Sequence, residues 1–246
     1  MKCHSMAECW DLGEEPRFSH TKVIFHDGDD YFLARLPDRY SKLEEIDVPK
    51  DGLTRIPKEH IWPLYEEGLT ICSNPNRPEI YVKKPQLTDY SDSHAPSIDL
   101  LKEARICELL MKNPHGNIAR YYGCVVEYGR ITGLCFEKCA ELLADREAAG
   151  RLVDIDSCYQ QIEAGLNHLH SLSLVHNDIR DCNVMFKTQD GEEVVIIDFD
   201  ACGLQGLPIE GKSGPTPEGV HTMEFENDGY ALKTSNRQEP ERPVCM

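Results

Sequence analysis

Between His176 and Asp200 the chain reads HNDIRDCNVMFKTQDGEEVVIIDFD, a run whose acids and amides are spaced for phosphoryl transfer. Asp178 and Asn183 lie on a segment too rich in Asp and Asn for a stable helix interior, so a loop there can aim both side chains at one centre. Leu174-Val175 before it and Val184-Met185-Phe186 after it are apolar and would anchor that loop. Asp190-Gly191, set between Val184–Lys187 and Val194–Ile197, predicts a two-residue type I′ hairpin turn. Such a hairpin folds Asp198 back beside Asn183. A hydroxyl-orienting Asp178 then meets two candidate Mg²⁺ ligands, Asn183 and Asp198, and phosphoryl transfer needs little beyond such positioning and charge neutralisation. The plainer alternative, an acidic loop beside a buried hairpin, has no use for both clusters at this spacing.

Phosphates also need a cation, and the elements upstream supply one. Ile80-Tyr81-Val82-Lys83 alternates apolar and polar residues as a half-buried strand with a lysine at its end, with Lys84 as the adjacent alternative. Ile61–Leu64 and Leu69–Cys72 read as earlier short strands. Pro96-Ser97 opens a helix with Ser97 as N-cap and Asp99 in the first turn. On that helix Leu100, Glu103, Ile106, Cys107 and Leu110 share one face, whereas Glu108 lies off it. Glu103 is thus an inward carboxylate, costly to bury unless it meets a cation, and Lys83 is the natural candidate. Ala119–Val126 and Ile131–Phe136 read as two further strands joined by Glu127–Arg130. A helix from Asp154 to Ser171 carries Cys158, Tyr159, Ile162, Leu166 and Leu169 on its apolar face, with His168 and His170 as helix-terminus or surface residues.

Strands with a single helix, then a short connector, then helices make an α+β, two-lobed pattern. The reading divides the chain into a partly ordered N-terminal extension over 1–58, a β-rich lobe over 59–138, a partial, mainly helical lobe over 139–232, and a polar tail over 233–246. Within the extension only Tyr31–Ala34 suggests a strand and Tyr40–Ile46 a short helix.

The formal net charge of −17 comes with no basic run, so neither nucleic acid nor an anionic membrane is an expected partner. Eleven scattered cysteines complete no zinc site. Those at apolar positions (Cys107, Cys135, Cys158) should pack as small hydrophobes. With no signal-peptide core or spanning apolar run, the expectation is a reducing intracellular compartment, cytoplasmic or nuclear.

His176-x-Asp178-x-x-x-x-Asn183 resembles the catalytic loop of the protein-kinase-like superfamily, and Asp198-Phe199-Asp200 resembles its Asp-Phe-Gly metal motif. Ile80–Lys83 is similar to the family's Val-Ala-Ile-Lys strand, Asn113–Ile118 to its His-Pro-Asn-Ile turn, and Thr216-Pro217-Glu218 to Ala-Pro-Glu. The resemblance implies ATP and Mg as cofactors. Lys83, fixed by Glu103, would hold the phosphates, and the hinge residues Glu137 and Cys139 would hold the adenine. Asn183 and Asp198 would bind the metal, while Asp178 acts as base with Arg180 near the transferred group. A protein substrate is implied, with a Ser/Thr acceptor, although Arg180 is also found in some tyrosine kinases. The overall run looks most like the divergent kinase domains abundant in fungi. An amino-alcohol or aminoglycoside kinase shares His-Asn-Asp and Ile-Asp-Phe-Asp and stays open as an alternative, as does a binding module without turnover. Three departures bear on this: no Gly-x-Gly-x-x-Gly precedes Lys83, Asn177 replaces the usual Arg, and the helices expected after Asp228–Leu232 are lacking. The Asn177 replacement argues against a phosphorylation switch at Ser213 or Thr216. The missing helices lead to the expectation of an exposed apolar patch, with marginal stability, a stabilising protein partner, or a polypeptide that is a fragment of a longer one.

Overall fold

The computed structural model describes residues 1–235 apart from residues 12, 14, 48–50, 89 and 152. The expected polar tail therefore falls mostly outside the described residues. Two compact units divide the chain, and the division does not follow the expected boundaries at 58/59 and 138/139. One unit comprises Met1–Glu66, Lys84–Leu101 and Val126–Thr132; the other comprises Glu67–Lys83, Lys102–Val125 and the chain from Gly133 onward. The chain passes between the units several times, which a reading in consecutive blocks does not anticipate.

The first unit overturns the partly ordered extension. Strands β1 (Lys2–Asp11), β2 (Arg17–Asp27), β3 (Asp30–Leu36) and β4 (Thr54–Ile56) form an antiparallel meander in sequence order. The central strand β2 is covered on both faces. Val23 and Phe25 pack with Ala34 and Ile46, while Ile24 packs with Leu33, Ile56, Ile61, Leu87 and Tyr90. Burial on both faces erases the alternation by which a half-buried strand is recognised, and in the edge strand β1 no residue is fully buried. Tyr40–Ile46 supplies only a 3-10 turn at Leu43–Glu45. The strand expected over Ile61–Leu64 is instead a short helix, α1 (Lys58–Ile61), followed by an isolated bridge from Leu64 to Arg130.

In the second unit, β5 (Ile80–Lys83) forms as expected. Helix α2 (Ala95–Lys112), shared in sequence by both units, begins before the expected cap. Ser97 lies inside it and donates its hydroxyl to His94 O at 3.0 Å, and Pro96 is tolerated because a first-turn residue needs no N–H partner. Strands β6 (Tyr121–Glu127) and β7 (Arg130–Glu137), likewise shared in sequence by both units, follow, and β7 lies between β5 and β6 in a three-stranded sheet. Tyr128 and Gly129, both with positive φ, make the two-residue turn between β6 and β7. The strand expected at Leu69–Cys72 is reduced to a parallel bridge between Ile71 and Cys124. Gly123 permits that approach, since a Cβ there would lie 2.7 Å from both Thr70 O and Cys72 N.

Then come β8 (Glu141–Leu142), α3 (Leu143–Ala148), α4 (Ile155–Ser171), β9 (Leu174–Val175), β10 (Val184–Phe186), β11 (Val194–Ile196), β12 (Gly203–Leu204) and α5 (Phe225–Ser235). Helix α4 starts where expected: Asp154 caps it by accepting from Ser157 N at 3.0 Å, and Cys158, Ile162, Leu166 and Leu169 are buried. Cys107, Cys135 and Cys158 are buried and free, as expected of small hydrophobes. Among the described residues no helix is long and apolar enough to cross a membrane.

Candidate active site

The hairpin that carries the site is not closed as expected. Residues 187–193 connect β10 to β11, and neither Asp190 nor Gly191 adopts the positive φ of a type I′ turn. Arg146, itself buried, holds this longer loop by donating to Gly191 O at 2.9 Å and Gln189 O at 2.7 Å. Its guanidinium also pairs with Glu141 and stacks over Phe186. The consequence expected of the hairpin survives the change of turn. Val184 pairs with Ile196, and Ile197 N donates to Asn183 O at 2.9 Å, so Asn183 and Asp198 leave the same end of the two strands.

Leu174-Val175 and Val184–Phe186 anchor the loop as β9 and β10. Between them Asn177 takes a left-handed conformation (φ 62°), which Asn tolerates better than most residues. Asp228 at the start of α5 holds this turn. Its carboxylate accepts from His176 N at 2.9 Å, Asn177 N at 2.7 Å and His170 Nε2 at 2.8 Å, and it is fully buried. The sequence had shown Asp228 only as a helix start. His170 is thus a partner of the loop rather than a surface residue, and His168 likewise bonds Asn113 O at 2.7 Å. His176 donates Nε2–H to Ile197 O, which leaves Nδ1 to accept from Asp178 N at 3.3 Å and fixes its tautomer.

Asp178 is 1% exposed. Its Oδ1 accepts from Arg180 Nε at 2.6 Å, and Asn183 Nδ2 donates both to its backbone oxygen (2.7 Å) and to its Oδ2 (3.1 Å). With Nδ2 committed to Asp178, the amide oxygen is the atom Asn183 can offer to a cation.

Lys83 and Glu103 meet as the sequence required. Nζ lies 2.7 Å from both carboxylate oxygens of Glu103, which is 1% exposed, and 2.6 Å from Asp198 Oδ1. Glu103 also accepts from Phe199 N at 3.1 Å, tying helix α2 to the Asp198-Phe199-Asp200 turn. Burial alone would lower the Lys83 pKa, but the charges of Glu103, Asp198 and Asp200 overcome it and hold the ammonium charged. Burial pushes the Glu103 carboxyl upward, while Lys83 pulls it back. Burial would also raise Asp198, but Lys83 and Lys212 outweigh it and hold that carboxyl well below the usual carboxylate range. Glu108, off the expected face, is buried too and receives the Thr70 N–H and hydroxyl.

The expected hinge residues lie at the end of β7. Glu137 pairs with Ile80 of β5, Lys138 N donates to Glu79 O at 2.9 Å, and Cys139 Sγ contacts Glu137 O at 3.9 Å. One residue of the site was not foreseen. Lys212 Nζ lies 3.0 Å from Asp198 Oδ2, 3.2 Å from Asp200 Oδ1 and 3.3 Å from Asp178 Oδ2. No sequence pattern marks it, because its partners come together only through the fold.

Among the described residues, no group of three His, Cys, Asp or Glu side chains could hold a metal by itself. Mg²⁺ needs no such cage, since it takes one or two protein oxygens together with substrate phosphates, and Asn183 and Asp198 supply hard oxygen donors of that kind.

Residues 70–219 match the family described as protein kinase domain. The serine/threonine-protein kinase/endoribonuclease IRE1 of Hypocrea jecorina is 34% identical over 99 residues, which cover 36% of this chain. The calcium/calmodulin-dependent protein kinase type II subunit delta of Oryctolagus cuniculus is 34% identical over 116 residues, or 45% of the chain. The serine/threonine-protein kinase PSK1 of Saccharomyces cerevisiae is 30% identical over 134 residues, or 50% of the chain. The matches span 8%, 20% and 9% of those relatives, respectively.

Proposed function

We propose, because this chain belongs to the protein kinase domain family, that it transfers the γ-phosphoryl group of Mg-ATP to a serine or threonine hydroxyl of a protein. The observation that carries this reading is the convergence of Lys83, Glu103 and Asp198 at bonding distance, with Asn183 and Asp178 at the same end of β10 and β11. Lys83 grips the phosphates and Glu103 holds Lys83 in place. Asn183 and Asp198 hold Mg²⁺, which supplies charge neutralisation on the phosphates when bound. Asp178 orients the acceptor hydroxyl and takes its proton, and Arg180 steadies Asp178 through Oδ1. Glu137 and Cys139 offer backbone groups to the adenine. The Ser/Thr assignment rests on relatives named as serine/threonine kinases.

A second reading, a nucleotide-binding module without turnover, is favoured by one observation: Asp178 is buried and its oxygens are already engaged. Thermal unfolding with and without Mg-ATP, followed by transfer assays on Ser/Thr peptides and on amino alcohols, separates these readings. Nucleotide at 100 times its dissociation constant should add about 2.7 kcal/mol to the folded state. Transfer to peptides supports the proposal. A thermal shift without transfer to any acceptor selects the binding module, and transfer to amino alcohols alone selects a small-molecule kinase.

A further inference from the structure

Three carboxylates (Asp178, Asp198, Asp200) face one another in the site, and the ammonium of Lys212 sits among them. Its contacts are Asp198 Oδ2 at 3.0 Å, Asp200 Oδ1 at 3.2 Å and Oδ2 at 3.3 Å, and Asp178 Oδ2 at 3.3 Å. The residues that follow are seated on Asp178 itself. Arg180 donates to Ser213 O at 3.2 Å, and Gly214 N donates to Asn177 O at 2.7 Å. A Cβ at Gly214 would lie 2.9 Å from both Cα and Oδ1 of Asp178, so only glycine allows so close an approach. Lys212, Ser213 and Gly214 thus form a strap over the carboxylate that an acceptor hydroxyl must reach to within about 2.6–3.2 Å.

We propose that Lys212 is an internal counter-ion that holds the acidic cluster assembled before nucleotide arrives, competes with the divalent cation, and must leave the carboxylates when that cation binds. The inference rests on the reading of Asn183 and Asp198 as metal ligands. A cation about 2.0–2.1 Å from the Asp198 carboxylate would lie within a few ångströms of an ammonium bonded to the same group. Two positive centres at that separation repel strongly in a partly buried site. Lys212 can leave: its side chain is 47% exposed, and a lysine stem swings into water at low cost. Its departure removes one of the strap's three anchors, leaving those at Ser213 O and Gly214 N, so metal loading loosens the cover over Asp178. Nothing in this coupling calls for phosphorylation of Ser213 or Thr216.

The test uses the full chain and Mn²⁺ without nucleotide, with free Mn²⁺ followed by electron paramagnetic resonance. Lys212→Met should bind Mn²⁺ about tenfold or more tightly than the wild type. Lys212→Arg, which keeps the charge, and Lys112→Met, which removes a remote surface charge, should bind as the wild type does. Without metal, Lys212→Met should unfold at a lower temperature, because the carboxylates lose their counter-ion. Should that variant fail to fold, amine labelling of the wild type serves instead. Mn²⁺ should then speed acylation of Lys212 while leaving Lys112 unchanged. Equal or weaker Mn²⁺ binding by Lys212→Met, or labelling of Lys212 indifferent to Mn²⁺, overturns the competition while leaving the metal site standing. Failure of every variant to take up Mn²⁺, both alone and with a non-hydrolysable ATP analogue supplying phosphate oxygens, refutes the metal ligands themselves and the competition with them.

Discussion

Replacing Glu103 by Gln isolates the contact on which the site depends. The carboxylate accepts two bonds from Lys83 at 2.7 Å and one from Phe199 N at 3.1 Å, in a position 1% exposed. Removing one partner of a buried ion pair costs about 3–5 kcal/mol when the other charge is stranded. Here Lys83 is not stranded, since Asp198 remains at 2.6 Å and its own side chain is 20% exposed. Gln also keeps the volume and one acceptor oxygen for Phe199 N. The expected loss is therefore smaller, about 2–3 kcal/mol, close to the worth of one or two charge-assisted hydrogen bonds. Urea denaturation measures it as a fall in the midpoint at unchanged slope. A cycle with Lys83→Met adds a stricter test. Both single variants break the same pair, so the double variant should lose at least about 1 kcal/mol less than their sum. A Glu103→Gln loss below about 0.5 kcal/mol, or strict additivity with Lys83→Met, would refute the claim that this pair organises the site.

Other predictions follow from the same contacts. Asp228→Ala leaves the His176 and Asn177 amides without their acceptor and should cost about 2–4 kcal/mol in denaturant unfolding, with hydrogen exchange speeding at those two amides first. Arg146→Met removes the donor that holds residues 187–193 and leaves Glu141 paired with Arg151 alone. A loss of about 1–3 kcal/mol and new proteolytic cleavage within that loop are expected. The depressed pKa of Asp198 stabilises the fold at pH values above about 3.9, its unfolded value, and that contribution is lost as the pH falls below it. Thermal midpoints between pH 2 and pH 6 should therefore fall less steeply for Asp198→Asn than for the wild type.

The parts of the site that rest on local spacing were legible in the sequence. Glu103 could be placed inward by helical period, and Lys83 followed as the cation that a buried carboxylate needs. Asn183 and Asp198 were legible because a hairpin returns its ends to one place whatever its turn. The turn itself was misread, since Arg146 fixes a longer loop from a helix far away in sequence. The N-terminal sheet stayed hidden because β2 is buried on both faces and β1 is an edge strand that buries none of its residues fully. Lys212 and the loop-holding role of Asp228 depend on partners brought together only by tertiary structure, so no local pattern announces them.

Phosphoryl transfer by the wild type and Asp178→Asn, compared on a Ser/Thr peptide with Mg-ATP, bears most directly on the central claim. Nucleotide affinity measured in parallel confirms that the variant is folded. Loss of the proton-accepting carboxylate should lower the transfer rate by about 10²–10⁴-fold while leaving nucleotide binding in place. Transfer by the variant at the wild-type rate would contradict the assignment of Asp178 as the base.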